Sequence, residues 1–139
     1  MPSLSGRFDI SIGPLINIIV TQVGTVTPTA PPAGQMTAFP ALIDTGASIT
    51  CISPSVAQIV GLKPIGKRPM TSATQSVPVN VYLVDLVLPF GNAGLMLNSV
   101  EIMEFNPLDG SPFQLLIGRD IICRGLFTMS FDGHFSFSL

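Results

Sequence analysis

The stretch Ala41-Leu42-Ile43-Asp44-Thr45-Gly46-Ala47-Ser48 constrains this chain more than any other. An apolar strand runs straight into an acid, a hydroxyl and a glycine, and Ile49-Thr50-Cys51-Ile52 resumes the apolar pattern beyond them. A carboxylate at the end of a buried strand is costly unless it is hydrogen-bonded or used in chemistry. Gly46 lets the backbone turn tightly and brings its amide near the carboxylate. Thr45 adds a hydroxyl that both donates and accepts. Asp, Thr and Gly are also ordinary turn residues, so the tripeptide takes its meaning from its surroundings.

A second stretch supplies that context. Leu115-Leu116-Ile117-Gly118-Arg119-Asp120 is an apolar strand ending in glycine. In their order and wide spacing the two stretches resemble the retropepsin-like aspartic proteases, the family of retroviral proteases and their cellular and bacterial relatives. There the catalytic loop reads Asp-Thr/Ser-Gly-Ala, and a later apolar-apolar-Gly strand passes behind it. The resemblance runs from about Ile10 to Leu139. It implies a mostly β fold, a closed or partly closed barrel with one or two short helices. Asp44, Thr45 and Gly46 would be catalytic, and Ala47 and Ser48 would line the substrate cleft. Ile117, Gly118 and Arg119 would support the catalytic loop from behind.

Composition narrows the partners. With 139 residues the chain has room for one domain, taken here as 1–139. Hydrophobic residues make up 47% and charged residues 10%. So little charge on a small domain suggests apolar surface covered by a partner, such as an identical chain. A net charge of -2 makes no case for nucleic acid or an anionic membrane surface. No run is long enough to span a membrane. The N-terminus lacks the basic start and long apolar core of a signal peptide, so a cytoplasmic location is expected. Cys51 and Cys123 have no metal spacing; free buried thiols are the preferred reading, with a disulfide as the alternative. No His/Cys/carboxylate cluster suggests a metal or other cofactor.

Read in order, Arg7 to Val23 is one or two strands bent at Gly13-Pro14. Residues 25–36 carry Pro28, Pro31 and Pro32, so they form an exposed loop. Residues 37–43 are the strand that delivers Asp44. Ser53 can cap a helix that has Pro54 in its first turn and stops at Gly61. Leu62 to Pro69 reads as a connection. A hairpin follows, Met70 to Leu88 in its clearest part and 66–88 at its full extent, with Thr71, Ser72, Ala73, Thr74 and Gln75 near the tip. Val77, Val79, Val81 and Leu83 alternate with Tyr82, Val84, Leu86 and Leu88, so the strand is expected to be covered on both faces. In the resembled family a hairpin here is a flap over the substrate, which makes the tip residues substrate-binding; retroviral flaps are glycine-rich, and this tip is not. Gly91-Asn92 is a turn, Leu95 to Phe105 a strand with Glu101 and Glu104 exposed, and Asn106 to Gly110 another turn. Gln114 to Ile117 is a strand, and Arg119 to Arg124 a short helix stopped by Gly125. Phe127, Met129 and Phe131 alternate with polar residues before Asp132-Gly133; Phe135, Phe137 and Leu139 do so after it. That pattern predicts a hairpin with a two-residue turn whose phenylalanines face one core or interface.

Acid-protease chemistry needs two carboxylates sharing one proton, one acting as base while the other is acid. The chain holds a single Asp-Thr-Gly. The resemblance therefore implies a homodimer acting on a peptide or protein, with one Asp44 from each chain on the two-fold axis. Thr45 would interlock the two loops through backbone hydrogen bonds, Gly46 would accept substrate backbone, and Gly118 would give the loop room to pack. Many retroviral proteases place a second aspartate where Ser48 stands, paired with the arginine matched by Arg119. Arg119 is then expected to use Asp120 or a backbone carbonyl. A Cys51/His134 nucleophile pair has no local support. The rival reading is a catalytically silent peptide-binding or dimerisation module on the same fold.

Overall fold

The computed structural model describes residues 2–25, 36–71, 73–92 and 94–139. In chain order its strands are β1 (Ser3–Arg7), β2 (Leu15–Gln22), β3 (Ala38–Ile43), β4 (Cys51–Ile52), β5 (Gly66–Thr71), β6 (Ser76–Leu88), β7 (Leu95–Glu104), β8 (Leu115–Ile117), β9 (Leu126–Met129) and β10 (His134–Ser138). Two short helices interrupt them, α1 (Pro54–Val60) and α2 (Arg119–Ile122). The larger sheet runs β2-β3-β8-β4-β7-β6-β5, and β2 also pairs with β6. That extra pairing closes six strands into a barrel and leaves β5 outside it. A three-stranded sheet, β1-β10-β9, stands beside the barrel. The fold is mostly β, a closed barrel with two short helices, as the sequence predicts.

The period of two along each strand decides which side chains fill the barrel. Ile16, Ile18 and Val20 of β2 are buried, as are Phe39, Ala41 and Ile43 of β3 and Tyr82, Val84, Leu86 and Leu88 of β6. Phe135 and Phe137 of β10 join the same core. Phe137 meets Phe90 edge-on at 5.4 Å and Phe127 at 5.8 Å between ring centroids. The edge to Phe90, just after β6, ties the small sheet to the barrel beyond simple burial, and the edge to Phe127 stiffens the small sheet itself.

α1 forms where its punctuation predicts. Ser53 accepts from the Val56 amide at 3.2 Å, and Pro54 needs no amide partner in the first turn. Gly61 adopts φ 76° and donates back to Ala57 and Gln58.

Five expectations are corrected. The hairpin takes its full expected extent, 66–88, so residues 66–69 belong to strand β5 and not to a connection, because six backbone pairs with β6 override a sequence rich in Lys, Arg and Pro. β6 is covered on both faces only in its second half; Val77 is 45% exposed because the hairpin has left the barrel there. Glu104 is half-buried, since it accepts from Tyr82 Oη at 2.6 Å and Asn80 Nδ2 at 3.2 Å. The terminal hairpin turns through three residues, Phe131–Gly133: Ser130 N donates to His134 O at 2.8 Å, and Gly133 takes φ 85°. Phe131 is thereby thrown out of the alternating set and is 94% exposed. Cys51 is buried, but Cys123 is exposed at the end of α2, and both are free. Of the predicted proline-rich loop, residues 26–35 lie outside the described residues. Among the described residues no helix is long and apolar enough to cross a membrane.

Asp85 is 2% exposed, in the middle of β6. Its carboxylate accepts from the Gly24 amide at 2.9 Å and the Ser99 amide at 2.8 Å. The β6–β7 register slips between Val84 and Leu86, and Ser99 sits at φ 53°. The Asp85 side chain fixes this bulge by satisfying the Ser99 amide, which the slipped ladder does not pair, and ties it to the turn after β2 through the Gly24 amide. Asp85→Ala should therefore lower stability by about 2–4 kcal/mol, the cost of leaving buried donors unpaired. Urea unfolding monitored by circular dichroism reads this, with Asp85→Asn losing less.

Candidate active site

Asp44 is delivered by β3, which runs parallel to β8 with Ala41, Leu42 and Ile43 beside Leu115, Leu116 and Ile117. The Asp44 amide continues that ladder, donating to Ile117 O at 2.9 Å. The backbone then turns: Ala47 N donates to Asp44 O at 3.2 Å, and Gly46 N donates to Asp44 Oδ1 at 2.9 Å. A backbone amide thus holds one oxygen of a half-buried carboxylate. Thr45, Gly46 and Ser48 are exposed, and Ala47 is half-buried.

The segment around Gly118 supports this loop from behind. A Cβ at Gly118 would lie 2.6 Å from the Ile49 carbonyl carbon and 2.7 Å from its oxygen, so any side chain would push the two strands apart. Arg119 N donates to Ala47 O at 2.9 Å, and Arg119 Nη1 donates to Thr45 O at 2.8 Å. Arg119 therefore uses a backbone carbonyl, one of its two expected partners. The other, Asp120, accepts from Thr50 Oγ1 at 2.8 Å, and that hydroxyl accepts from Gly118 N at 3.1 Å. The sequence reading missed Thr50. Its one legible signal is a hydroxyl inside an otherwise apolar strand.

A cleft of about 510 Å³ opens between this loop and the β5–β6 hairpin. Gly46, Ala47, Ser48 and Ile49 form one wall, with Pro69, Met70 and Thr71 of β5 on another. Cys51, Met103, Phe105 and Leu116 complete the lining. Of the predicted substrate-facing residues, the structure brings Ala47, Ser48 and Thr71 to this cleft together with Gly46. Ala73, Thr74 and Gln75 lie exposed at the hairpin tip, outside the lining. Ser72 is outside the described residues. The lining from Cys51, Met70, Met103, Phe105 and Leu116 could not be located from sequence, because it depends on which strands the barrel makes neighbours.

Burial pushes the Cys51 thiol up to about 12, with the carboxylates of Asp120 and Asp44 adding to the shift. Its Sγ donates to Ile49 O at 3.4 Å. A thiol held so firmly protonated is a poor nucleophile. His134 sits instead on the terminal hairpin, 3.2 Å from Asp132. The structure does not bring Cys51 and His134 together. Among the described residues no group of three or more His, Cys, Asp or Glu is placed to hold a metal. A second hollow, about 380 Å³, lies between β2 and α1. Its lining has no ionisable side chain and no residue of the Asp44 loop, whereas the first cleft is bordered by Gly46, whose amide holds the Asp44 carboxylate.

A half-buried acid at the end of a barrel strand, faced by a hairpin, is the arrangement of the acid proteases. A sequence profile of the aspartyl protease family matches residues 33–121, and the chain belongs to that family. Its fold is similar to that of a retropepsin-like aspartic protease from Rickettsia conorii, with a TM-score of 0.63 at 13% identity, over 97% of this chain and 89% of that one. The retroviral protease-like domain of Ddi1 from Leishmania major aligns over 85% of this chain and 82% of that one, with a TM-score of 0.47 at 12% identity. No curated protein matches the chain in sequence.

Two outcomes follow from Cys51. In native protein at about pH 8, iodoacetamide should modify Cys123 and spare Cys51, while both react in strong denaturant; peptide mapping reads this. The thiol's ordinary value of 9.0 is raised in the fold to about 12. Its contribution to stability is thus fully present below about 9 and lost as pH rises towards 12. Tyr82, raised by burial and its bond to Glu104, adds to the same alkaline loss. Cys51→Ala should flatten the alkaline limb of a stability-versus-pH curve.

Proposed function

We propose that this chain, acting as one unit over 1–139, is an aspartic endopeptidase that works as a homodimer. The observation that carries the reading is the Asp44 carboxylate, fixed by the amide of Gly46, which itself borders a peptide-sized cleft. Family membership supports a protease role. One such acid per chain favours a site completed by a second copy.

In this mechanism the two Asp44 carboxyls share a proton, because close like charges push their ionisations apart. The ionised one removes a proton from water as the water oxygen bonds to the scissile carbonyl carbon. The protonated one gives its proton to the carbonyl oxygen. Collapse of the tetrahedral species breaks the C–N bond, and the proton taken from water passes to the leaving nitrogen. Thr45 holds the two loops in register, and Gly46 accepts substrate backbone. Ala47, Ser48 and Thr71 border the bound peptide, and the β5–β6 hairpin closes over it. The apolar floor around Cys51, Met103 and Leu116 favours apolar side chains beside the scissile bond.

A second reading, a binding module without turnover, is favoured by the hairpin tip, where Ala73, Thr74 and Gln75 do not reach the cleft lining. The two readings separate on peptide-library cleavage followed by mass spectrometry from about pH 3 to 7, with wild type and Asp44→Asn side by side. Wild type should cleave between apolar residues. Asp44→Asn should lose about 10³-fold or more of that activity while keeping its fold and dimerisation. Peptide binding with no turnover by either protein would establish the binding module instead.

A further inference from the structure

The chain carries sulfur on six Met and two Cys. Three of these side chains, Cys51, Met70 and Met103, line one cleft, the one bordered by Gly46 of the acid loop. The strand order explains how they meet. Cys51 of β4 stands beside Met103 of β7 in the parallel register, and Leu116 of β8 and Val81 of β6 extend the same row on either side. Partners in register share a face, and neighbouring strands lie about 4.8 Å apart. Two sulfurs that each hold one ion at roughly 2.3 Å stand no more than about 4.6 Å from each other. Adjacent strands therefore give Cys51 and Met103 the spacing that one ion needs. Met70 packs on this pair from β5, so the third sulfur comes from the hairpin and not from the barrel.

One thiol with two thioethers is a soft donor set, which selects Cu(I) over the hard cations. Among the described residues no group of His, Cys, Asp and Glu offers a harder site in its place. Cys51 is free, and its Sγ donates to Ile49 O at 3.4 Å, a long contact that yields readily to a metal–sulfur bond. The carboxylates of Asp120 and Asp44 bear on the same sulfur and favour its protonated form. A singly charged ion that takes the proton's place leaves the charge of the site unchanged, so it meets no new electrostatic cost there.

We propose that Cys51, Met70 and Met103 form a Cu(I) site on the floor of the cleft, and that the bound ion ties the β5–β6 hairpin to the barrel and shuts the cleft to peptide. On binding, the Sγ–H bond breaks, a Cu–S bond forms and the proton leaves to solvent; no electron is transferred. The ion is a regulator and takes no part in hydrolysis. Closure against peptide rests on the peptidase reading above, whereas ion binding stands without it.

Cys123→Ser protein is the reference for the test, because it lacks the exposed thiol. Titrated without oxygen against a chromogenic Cu(I) chelator, it should take up one Cu(I) per chain, and X-ray absorption should show a sulfur-only shell. In that background Met103→Leu and Met70→Leu, which conserve volume, should each weaken binding about tenfold or more. Cys51→Ala should weaken it further, and Met129→Leu, on exposed β9, should leave it unchanged. Cu(I) should also stop peptide cleavage by the reference protein, with recovery when excess chelator is added. Uptake that ignores both cleft methionines, or nitrogen and oxygen ligands in the absorption spectrum, would overturn the site. Cleavage by a protein that takes up no Cu(I) would overturn the site and leave the peptidase standing. Uptake with the expected variant pattern and undiminished cleavage would overturn the closure. The same uptake by a protein that cleaves no peptide, with or without the ion, would support the site and overturn the peptidase reading.

Discussion

One buried hydroxyl joins the parts on which the acid loop depends. Thr50 is fully buried, accepts from the Gly118 amide and donates to Asp120. It stands between the Asp44 loop and β4, and its partners open α2. A hydrogen bond with one charged partner is stronger than a neutral one, and more so away from water. Arg119 adds a second stitch through the Thr45 carbonyl. The close approach of Gly118 to the Ile49 backbone leaves no slack between the strands that carry these groups. The carboxylate of Asp44 is thus positioned by backbone that is itself held from two sides. A site that stabilises a transition state electrostatically requires such preorganisation.

The barrel explains how one strand serves two ends. The inner half of β6 is a barrel stave and its outer half is hairpin. The change comes at Val81, where pairing with β7 begins. Beside it, Asn80 and Tyr82 converge on Glu104, a polar clamp where the hairpin leaves the barrel. Further along, Asp85 holds the bulge that bends the stave around the core.

Much of this was legible in the sequence because it is local. The apolar run into Asp44, the capping of α1 by Ser53 and Gly61, and the alternation in β10 each state their own geometry within a few residues. The strand ending at Gly118 was legible as a partner of the Asp44 loop because family resemblance linked two distant stretches. What stayed hidden depends on pairing at long range. β5 is a strand because β6 lies beside it, despite Pro69. Thr50 matters because Asp120 meets it across seventy residues of chain. Met103 and Leu116 line the cleft because β4 lies between β7 and β8. The terminal turn failed for a smaller reason: Asp-Gly suits both two- and three-residue turns, and the register of Ser130 with His134 decides between them.

In the hairpin, Pro69 of β5 stands directly opposite Pro78 of β6. Two facing prolines spare the ladder only at a non-hydrogen-bonded position, where both nitrogens point away from the partner strand. At residue 69 the outer rim of β5 therefore offers a carbonyl but no amide hydrogen. An extended chain laid along that rim meets an acceptor without a matching donor. The rim reads the polarity of a visiting backbone: it rewards a free N–H at that step and gives nothing to a C=O, so a proline or N-methylated residue placed there would find no partner.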